Sequence, residues 1–203
     1  MNDDGASAGS APFRVLFICG SLRKESFNRK LIRAATKLAP AHFQISESIS
    51  IGEIPHLNDD VARTAVPEPV VRLNNQIRAV DAVVIATPEY NYSIPGVLKN
   101  TLDWIPCPVP HENPLRFKPV ALMGASIGNF GTTRCQMHLR QTLLFHEAYV
   151  MPKPEIYLFR ALEKFDADGA LTDQATIDLI KAYWPALQQY AGMVTAMRAS
   201  GVA

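Results

Sequence analysis

The sequence predicts an α/β fold in which a parallel five-stranded sheet carries helices on both faces. Short runs of strand-forming residues alternate along the chain with amphipathic stretches of helical period. Residues 13–19 (FRVLFIC) and 82–87 (AVVIAT) are almost continuously apolar, as expected of strands covered on both faces. After the first of them, Phe27, Leu31 and Leu38 recur at helical spacing, while basic residues occupy the other side of that stretch.

The predicted strands differ in how exposed they are expected to be. Four of them span residues 13–19, 43–51, 82–87 and 119–124. Residues 43–51 (FQISESISI) alternate between apolar and polar, which favours a more exposed position near a sheet edge. A fifth strand is expected at 149–151 or at 155–158, and the sequence does not decide between them. Five strand–helix units of this kind fit the flavodoxin-like strand order 2-1-3-4-5.

The predicted helices lie between these strands. They span residues 27–38, 68–80, 93–105 and 132–146, with a last helix from about residue 172. Ser93 is the expected N-cap of the third helix, with Pro95 in its first turn and Pro106 at its end. Pro185 falls inside the last helix, so we expect that helix to be kinked or broken there.

Length and composition suit a single domain. A chain of 203 residues with 48% hydrophobic content supplies a sizeable core. We expect a disordered lead-in over residues 1–12 and one domain over residues 13–198. The first twelve residues, MNDDGASAGSAP, lack the basic and apolar regions of a signal peptide. No apolar run reaches the length needed to cross a bilayer, so no membrane association is expected.

Charge and cysteine usage narrow the functional classes. Twenty basic and nineteen acidic residues give a formal charge of +1, which argues against nucleic-acid binding through bulk positive charge. Cys19, Cys107 and Cys135 are odd in number and widely spaced, which favours reduced thiols in a cytoplasmic protein. For Cys135, a catalytic thiol is the alternative to a small buried residue, the commoner role of a free cysteine. The histidines form no HxxxH or HExxH pair, and no metal site is predicted.

The chemistry is expected in the loops after strands one, three and four, because ligands of an open parallel sheet bind where the strand order reverses. The first loop, residues 20–28, collects hydroxyls, an amide and a guanidinium at a helix start, which suits the terminal phosphate of a mononucleotide. It matches neither GxGxxG nor GxxxxGK[ST]. The alternative is that Ser26 merely caps the helix and Arg23 is solvated.

The other two loops suit a flat ligand. Residues 88–96 (PEYNYSIPG) carry two tyrosines, against which a planar aromatic ligand would pack while backbone N–H groups and the Asn91 amide read its polar edge. The alternative is a proline-rich turn whose tyrosines pack on a neighbouring loop or subunit. Residues 124–133 (GASIGNFGTT) contain glycines that let the backbone approach a ligand closely, although glycine turns before helices are common.

Three segments of the chain resemble the NADPH-dependent FMN reductase family, in particular its bacterial chromate and quinone reductases. They are GSLRKESFNRKL (20–31), TPEYNYSIPGVLKNTLDW (87–104) and GTTRCQMHLRQTLLF (131–145). The similarity extends from about residue 13 to residue 158. The family has a glycine pair before the TTR-like segment where this chain has Gly131-Thr132, which leaves open whether this turn contacts flavin or nicotinamide.

The resemblance implies an FMN site built from all three loops. The residues implied to hold the phosphate are Ser21, Arg23, Ser26 and Asn28, and Phe27 is implied as a further FMN-binding residue. Those implied to line the isoalloxazine ring are Pro88, Glu89, Tyr90 and Asn91, with Ser126 and Gly128 contacting the flavin from the third loop.

The resemblance also implies an activity. NADPH or NADH would donate hydride to the flavin N5, and electrons would pass in a ping-pong cycle to small acceptors such as quinones or chromate, without a catalytic side chain. The motifs do not identify the physiological acceptor. Family members form dimers or dimer pairs, and the apolar residues Ile94, Leu98 and Trp104 add to the expectation of self-association.

Two other functions are weighed against this one. A flavodoxin-like electron carrier or redox-sensing module without turnover is the first, and the nearly neutral charge of the chain argues against it. An empty scaffold of the same fold is the second, and the three ligand-like loops argue against that.

Overall fold

A computed structural model describes residues 11–107 and 113–201 of the chain. The strands are β1 (Phe13–Cys19), β2 (Phe43–Glu47), β3 (Ala82–Ala86), β4 (Pro119–Ala125), β5 (Tyr149–Val150) and β6 (Ile156–Leu158). The helices are α1 (Phe27–Lys37), α2 (Asp59–Ala62), α3 (Glu68–Arg78), α4 (Gly96–Trp104), α5 (Thr133–Phe145) and α6 (Gln174–Ala199). The lead-in expected over residues 1–12 lies outside the described residues except for its last two.

The sheet has the predicted flavodoxin-like order. Its strands run β2-β1-β3-β4-β5, and every pair among them is parallel. Both candidates for the fifth strand are strands, because β5 pairs with the start of β4 and β6 pairs with its end. Pro152 and Pro154 lie between them and have no N–H to donate, so the fifth position is filled by two short strands instead of one.

Helices cover both faces of the sheet, as predicted. Side chains of β1 alternate between two apolar cores, with Phe17 on one side and Leu16 and Ile18 on the other. The first core is completed by α1 and α6, and the second by α3, α4 and α5. β1, β3 and β4 lie between these two layers, which explains their nearly continuous apolar sequences.

The last helix is continuous through Pro185, so of the kink or break expected there the break does not occur. α6 extends over 26 residues through Pro185, which lies on its exposed side. Ile180, Trp184 and Leu187 on the opposite side are fully buried against the sheet and α1. A proline inside a helix costs about 3 kcal/mol, and burial of these large side chains outweighs that loss.

The predicted cap of α4 is also wrong. Pro95 occupies the N-cap position and α4 begins at Gly96, while the Ser93 hydroxyl lies 3.0 Å from Nδ1 of His138. Leu98 and Trp104 are fully buried within this chain, so they do not support contact between subunits.

No helix in residues 11–107 and 113–201 combines the length and the apolar character needed to span a membrane.

Candidate functional site

The loops after β1, β3 and β4 meet at the carboxyl end of the sheet, where they enclose a cavity of about 270 Å³. Its lining comprises Ser21, Arg23, Ser26, Phe27, Asn28, Pro88, Glu89, Tyr90, Ala125, Ser126 and Ile127. Of the residues predicted to form the site, Asn91 and Gly128 lie next to this lining. The close approach of the first two loops requires a glycine at position 20, since a Cβ there would lie 2.5 Å from the Thr87 Oγ1.

The first loop presents hydrogen-bond donors that the protein itself does not use. Ser26 caps α1, its Oγ accepting from the Asn28 N–H at 3.2 Å, and the Ser21 Oγ accepts from the Arg23 N–H at 3.4 Å. Both hydroxyls are buried, and neither donates a hydrogen bond to a described residue. The exposed Arg23 guanidinium likewise has no hydrogen-bond or ion-pair partner in the described part of the chain. These donors surround the positive end of the α1 dipole, so the loop suits a phosphate.

Asn28 joins the first loop to the third. Its Nδ2 donates to the Ala125 carbonyl at 3.0 Å, and its Oδ1 accepts from the Ala125 N–H at 2.9 Å. An amide nitrogen carries two hydrogens, so one remains for a ligand. The side chain is buried at the end of β4, where this bond pair aligns two loops that are 97 positions apart in sequence.

The carboxylate of Glu89 is engaged by α5. Its Oε2 accepts from the Cys135 N–H at 3.0 Å and its Oε1 lies 3.3 Å from Nη1 of Arg134. A carboxylate at a helix start satisfies backbone N–H groups that otherwise lack a partner, and it interacts favourably with the helix dipole. The Glu89 side chain therefore anchors the second loop to α5. The backbone N–H of Glu89 takes no part in these bonds and remains available to a ligand.

A tight turn projects the tyrosines of the second loop into solvent. The Tyr90 N–H donates to the Ser93 carbonyl, and the Ser93 N–H donates back to the Tyr90 carbonyl. Asn91 and Tyr92 between them have φ values of 49° and 65°, as both central residues of a type I′ turn require. Asparagine suits this backbone, whereas a tyrosine there costs about 1–2 kcal/mol. Asn91 thus has a structural reason to be present apart from any ligand contact.

The structure adds a residue that sequence reasoning did not select. The Arg134 guanidinium lies 4.1 Å from the ring centre of Tyr92 and 4.7 Å from that of Phe130. These cation–π contacts join the second loop, the third loop and α5 in one cluster at the rim of the cavity. Arg134 belongs to the third family-like segment, but its position between two rings depends on tertiary contacts.

The glycines of the third loop have different roles. A Cβ at Gly131, whose φ is 59°, would lie 3.1 Å from the Tyr157 carbonyl group, so the fold itself requires glycine there. Thr132 is fully buried against Gly124, and its Oγ1 accepts from the Gln136 amide. Gly131-Thr132 therefore packs inside the protein. At Gly128, in contrast, a Cβ would make an ordinary contact 3.6 Å from the Ser126 Oγ, so the fold does not require glycine.

The two thiols of this region, Cys19 and Cys135, are buried. Burial raises the pKa of the Cys135 thiol to about 12 and also raises the pKa of Cys19. Cys135 is fully buried beneath the second loop, 3.9 Å from the Thr87 hydroxyl. Both cysteines occur as small buried residues, the commoner of the two roles weighed for Cys135.

Comparison with known proteins agrees with this geometry. Residues 13–162 match the family model of NADPH-dependent FMN reductases. The chain is 46% identical to an NAD(P)H-dependent FMN reductase of Pseudomonas aeruginosa, over 88% of this chain and 95% of that protein. It is 44% identical to a quinone reductase of Escherichia coli, over 83% and 90% of the two chains.

A solved structure gives the same result. The flavoenzyme NAD(P)H:(acceptor) oxidoreductase of Paracoccus denitrificans superposes with a TM-score of 0.81 at 37% identity, over 89% of this chain and 98% of that one. The family match over residues 13–162 includes all three loops of the cavity as well as the strands that position them. The chain therefore belongs to the NADPH-dependent FMN reductase family.

Proposed function

We propose that this protein binds FMN in the 270 Å³ cavity and transfers electrons from NADPH or NADH to quinones and other small acceptors, chromate among them, in a ping-pong cycle. Members of its family are oxidoreductases that use FMN and NAD(P)H. One structural observation carries the proposal for this chain: donors without internal partners converge at the carboxyl ends of β1 and β3, where an open parallel sheet binds its ligand.

The donor set fits the two ends of FMN. Ser21, Arg23 and Ser26 offer two hydroxyl hydrogens and a guanidinium to a phosphate, a combination of charged and neutral donors that phosphates prefer. In the second loop, the backbone N–H groups of Glu89 and Asn91 make no hydrogen bond to a described residue. These groups would be available to the polar edge of the flavin ring, with Tyr90 and the third loop beside them.

FMN, when bound, supplies the redox chemistry by accepting a hydride from the nicotinamide and releasing two electrons to an acceptor. The residues of this chain hold and orient it. The Glu89 carboxylate is bonded to α5 and the nearby thiols are buried, so these side chains position the loops without transferring protons. We therefore assign no catalytic acid, base or nucleophile to the protein.

The rim of the cavity supports a broad choice of acceptor. Tyr90, Tyr92, Ile127 and Phe130 are all exposed there, although large apolar side chains are usually buried. An open apolar rim accommodates flat molecules such as a nicotinamide and a quinone one after the other. The Arg134 guanidinium, which also pairs with the Glu89 carboxylate, lies between Tyr92 and Phe130 at the same rim.

The test is an anaerobic titration of the FMN-loaded protein. NADPH or NADH should bleach the oxidised flavin absorbance, and a quinone should restore it. Steady-state rates at several quinone concentrations should then give parallel double-reciprocal lines, as ping-pong kinetics require. If the flavin stays oxidised with excess NADPH and NADH but accepts electrons from a protein donor, the protein is an electron carrier instead. Intersecting lines would contradict the ping-pong cycle alone.

Self-association is proposed on a different surface from the one that the sequence indicated. Met137, Leu144 and Phe145 lie on the outer side of α5 and are 56%, 73% and 75% exposed. Their spacing places them on one side of the helix, with Gln141 between Met137 and Leu144, and two-fold contacts commonly bury exposed apolar side chains of this kind. His138 on the same helix lies against the second loop, so a partner subunit there would be close to the cavity.

A further inference from the structure

A second and larger cavity, of about 710 Å³, lies at the opposite end of the sheet. It is bordered by Phe13 and Arg14 at the start of β1, by Asp81 before β3, by Lys118 before β4 and by Arg198 in the last turn of α6. Because the strands are parallel, their amino ends meet at this edge. The cavity is therefore separate from the FMN loops, which follow the carboxyl ends of the same strands.

Positive charge predominates in this cavity. Among the described residues, its lining contains Arg14, Arg78, Lys118 and Arg198 but a single carboxylate, that of Asp81. Arg14 donates three hydrogen bonds to that carboxylate, from Nη2 at 2.9 Å, from Nε at 3.3 Å and from its backbone N–H at 2.7 Å. Beside that ion pair, the described part of the lining contains Lys118 and Arg198 and no second carboxylate, although the whole chain is nearly neutral.

The Lys118 ammonium has hydrogen-bond donors and positive charge left for a bound anion. Its Nζ donates to the Val80 carbonyl at 2.7 Å, and an ammonium has three hydrogens, so two remain. Partial burial lowers the pKa of Lys118, Asp81 opposes that shift, and the charges of Arg198 and Arg14 add to it. In the described part of the chain Lys118 forms no ion pair with a carboxylate, so the charge is compensated only in part.

Arg198 is positioned over the cavity by an aromatic ring. Its guanidinium lies 5.7 Å from the ring centre of Phe117 and makes no ion pair with a described residue. Phe117 has a φ of 57°, a backbone conformation that a bulky side chain rarely adopts. Backbone strain of this kind persists only where the surrounding structure enforces it, and strained residues are concentrated at active sites and ligand-binding sites.

We propose that this cavity binds the oligophosphate group of a small molecule, a group found in pyrophosphate and in nucleoside diphosphates. Two or more negative charges match the cations of Lys118 and Arg198, and guanidinium groups bind phosphates in a fixed two-bond geometry. A volume of this size lies in the range of small-molecule sites, about 300–1,000 Å³. Phe13 and Val194 give one part of the lining an apolar surface that accommodates an organic group.

The test measures binding of two probes, pyrophosphate and ADP, to the FMN-saturated protein by calorimetry at low ionic strength. We expect at least one probe to bind with a Kd below about 1 mM. Arg198→Gln and Lys118→Met should each weaken that binding roughly tenfold or more, as expected when one hydrogen bond to a charged group is lost. Arg63→Gln is the matched control, since Arg63 is exposed and lies outside the cavity. The affinity of this variant for the probe should stay within about twofold of that of the wild-type protein.

Each outcome of this test has a definite meaning. Tighter binding of ADP assigns the cavity to esterified phosphates, and tighter binding of pyrophosphate assigns it to the inorganic ion. Absence of binding by both probes overturns the proposal. So does binding that the Lys118→Met/Arg198→Gln double variant retains while its FMN content and Tm are unchanged, because the probe then binds elsewhere, for example in the nicotinamide site. These measurements involve no turnover, so their failure is distinguishable from a failure of the proposed reductase function.

Discussion

At the scale of single residues, Arg23 is the most direct link between this fold and its cofactor. The guanidinium is exposed in the lining of the FMN cavity, and no described residue binds it. We expect Arg23→Ala to weaken FMN binding by about 1.5–3 kcal/mol, which is roughly ten- to a hundredfold in Kd. Fluorescence titration of the apoprotein measures this.

Riboflavin provides the control for that variant because it lacks the phosphate. Its affinity should be nearly the same for the wild-type protein and Arg23→Ala. An equal loss for riboflavin and FMN would show that Arg23 does not bind the phosphate. Arg63→Ala, which removes an exposed arginine elsewhere on the surface, should change neither affinity.

Two glycines of the third loop separate a folding role from a ligand role. Gly131→Ala places a Cβ against the Tyr157 backbone at a positive φ, so the free energy of unfolding should fall by about 1–3 kcal/mol. Gly128→Ala has room in the fold, so the Tm of the apoprotein should not change. FMN affinity should fall in Gly128→Ala if the loop backbone lies against the flavin. Unaltered affinity would remove Gly128 from the site.

At the scale of elements, α5 is the helix on which both the cavity and the proposed subunit contact depend. Its amino end receives the Glu89 carboxylate, its first turn carries Arg134 between two aromatic rings, and its outer face is apolar. We expect wild-type protein at micromolar concentration to sediment as a dimer or tetramer. Leu144→Glu should shift it toward monomer, because a buried carboxylate without a partner is strongly unfavourable in an interface.

A matched variant tests whether that effect is specific to α5. Val71 is an exposed apolar residue of α3, on a different part of the surface. Val71→Glu should leave the sedimentation coefficient unchanged. Monomeric wild-type protein under these conditions would refute self-association, and an equal response of both variants would refute the assignment to α5.

At the scale of the whole molecule, His146 links stability to pH. The imidazole is buried after α5, and burial lowers its pKa to about 4 from an ordinary value of 6.5. The Oδ1 of Asn113 accepts from the Leu115 N–H, so its Nδ2 donates to Nδ1 of His146 and the ring proton lies on Nε2. The folded protein therefore holds this side chain in its neutral form.

The sign of the pH effect follows from this difference. Between pH 6.5 and 4 the unfolded chain binds a proton that the folded protein does not, so stability is full above pH 6.5 and falls as the pH decreases. The total loss is about 3 kcal/mol. Urea unfolding at pH 7 and pH 4.5 measures it. His146→Gln should flatten the dependence in this window, whereas His56→Gln, on an exposed residue, should not. Identical slopes for His146→Gln and wild type would contradict the assignment.

The sequence by itself determined the strand order, the alternation of helices and strands and the three loops that surround the cavity. These features follow from local patterns, since apolar periodicity separates strands from helices and a parallel sheet places its ligand at known strand ends. Family motifs in the same loops then indicated FMN. Each of these patterns and motifs lies within a run of fewer than twenty residues, so none of them depends on long-range contacts.

Only the tertiary structure decided which residues far apart in sequence contact one another. Packing of Trp184 keeps α6 continuous through Pro185, and β4 is long enough to pair with both β5 and β6. The Glu89 carboxylate binds α5, and Arg14 and Arg198 share a basic cavity although they lie at opposite ends of the chain. The physical reason is common to these cases: a side chain's partner is set by the packing of whole elements, which local sequence patterns do not encode.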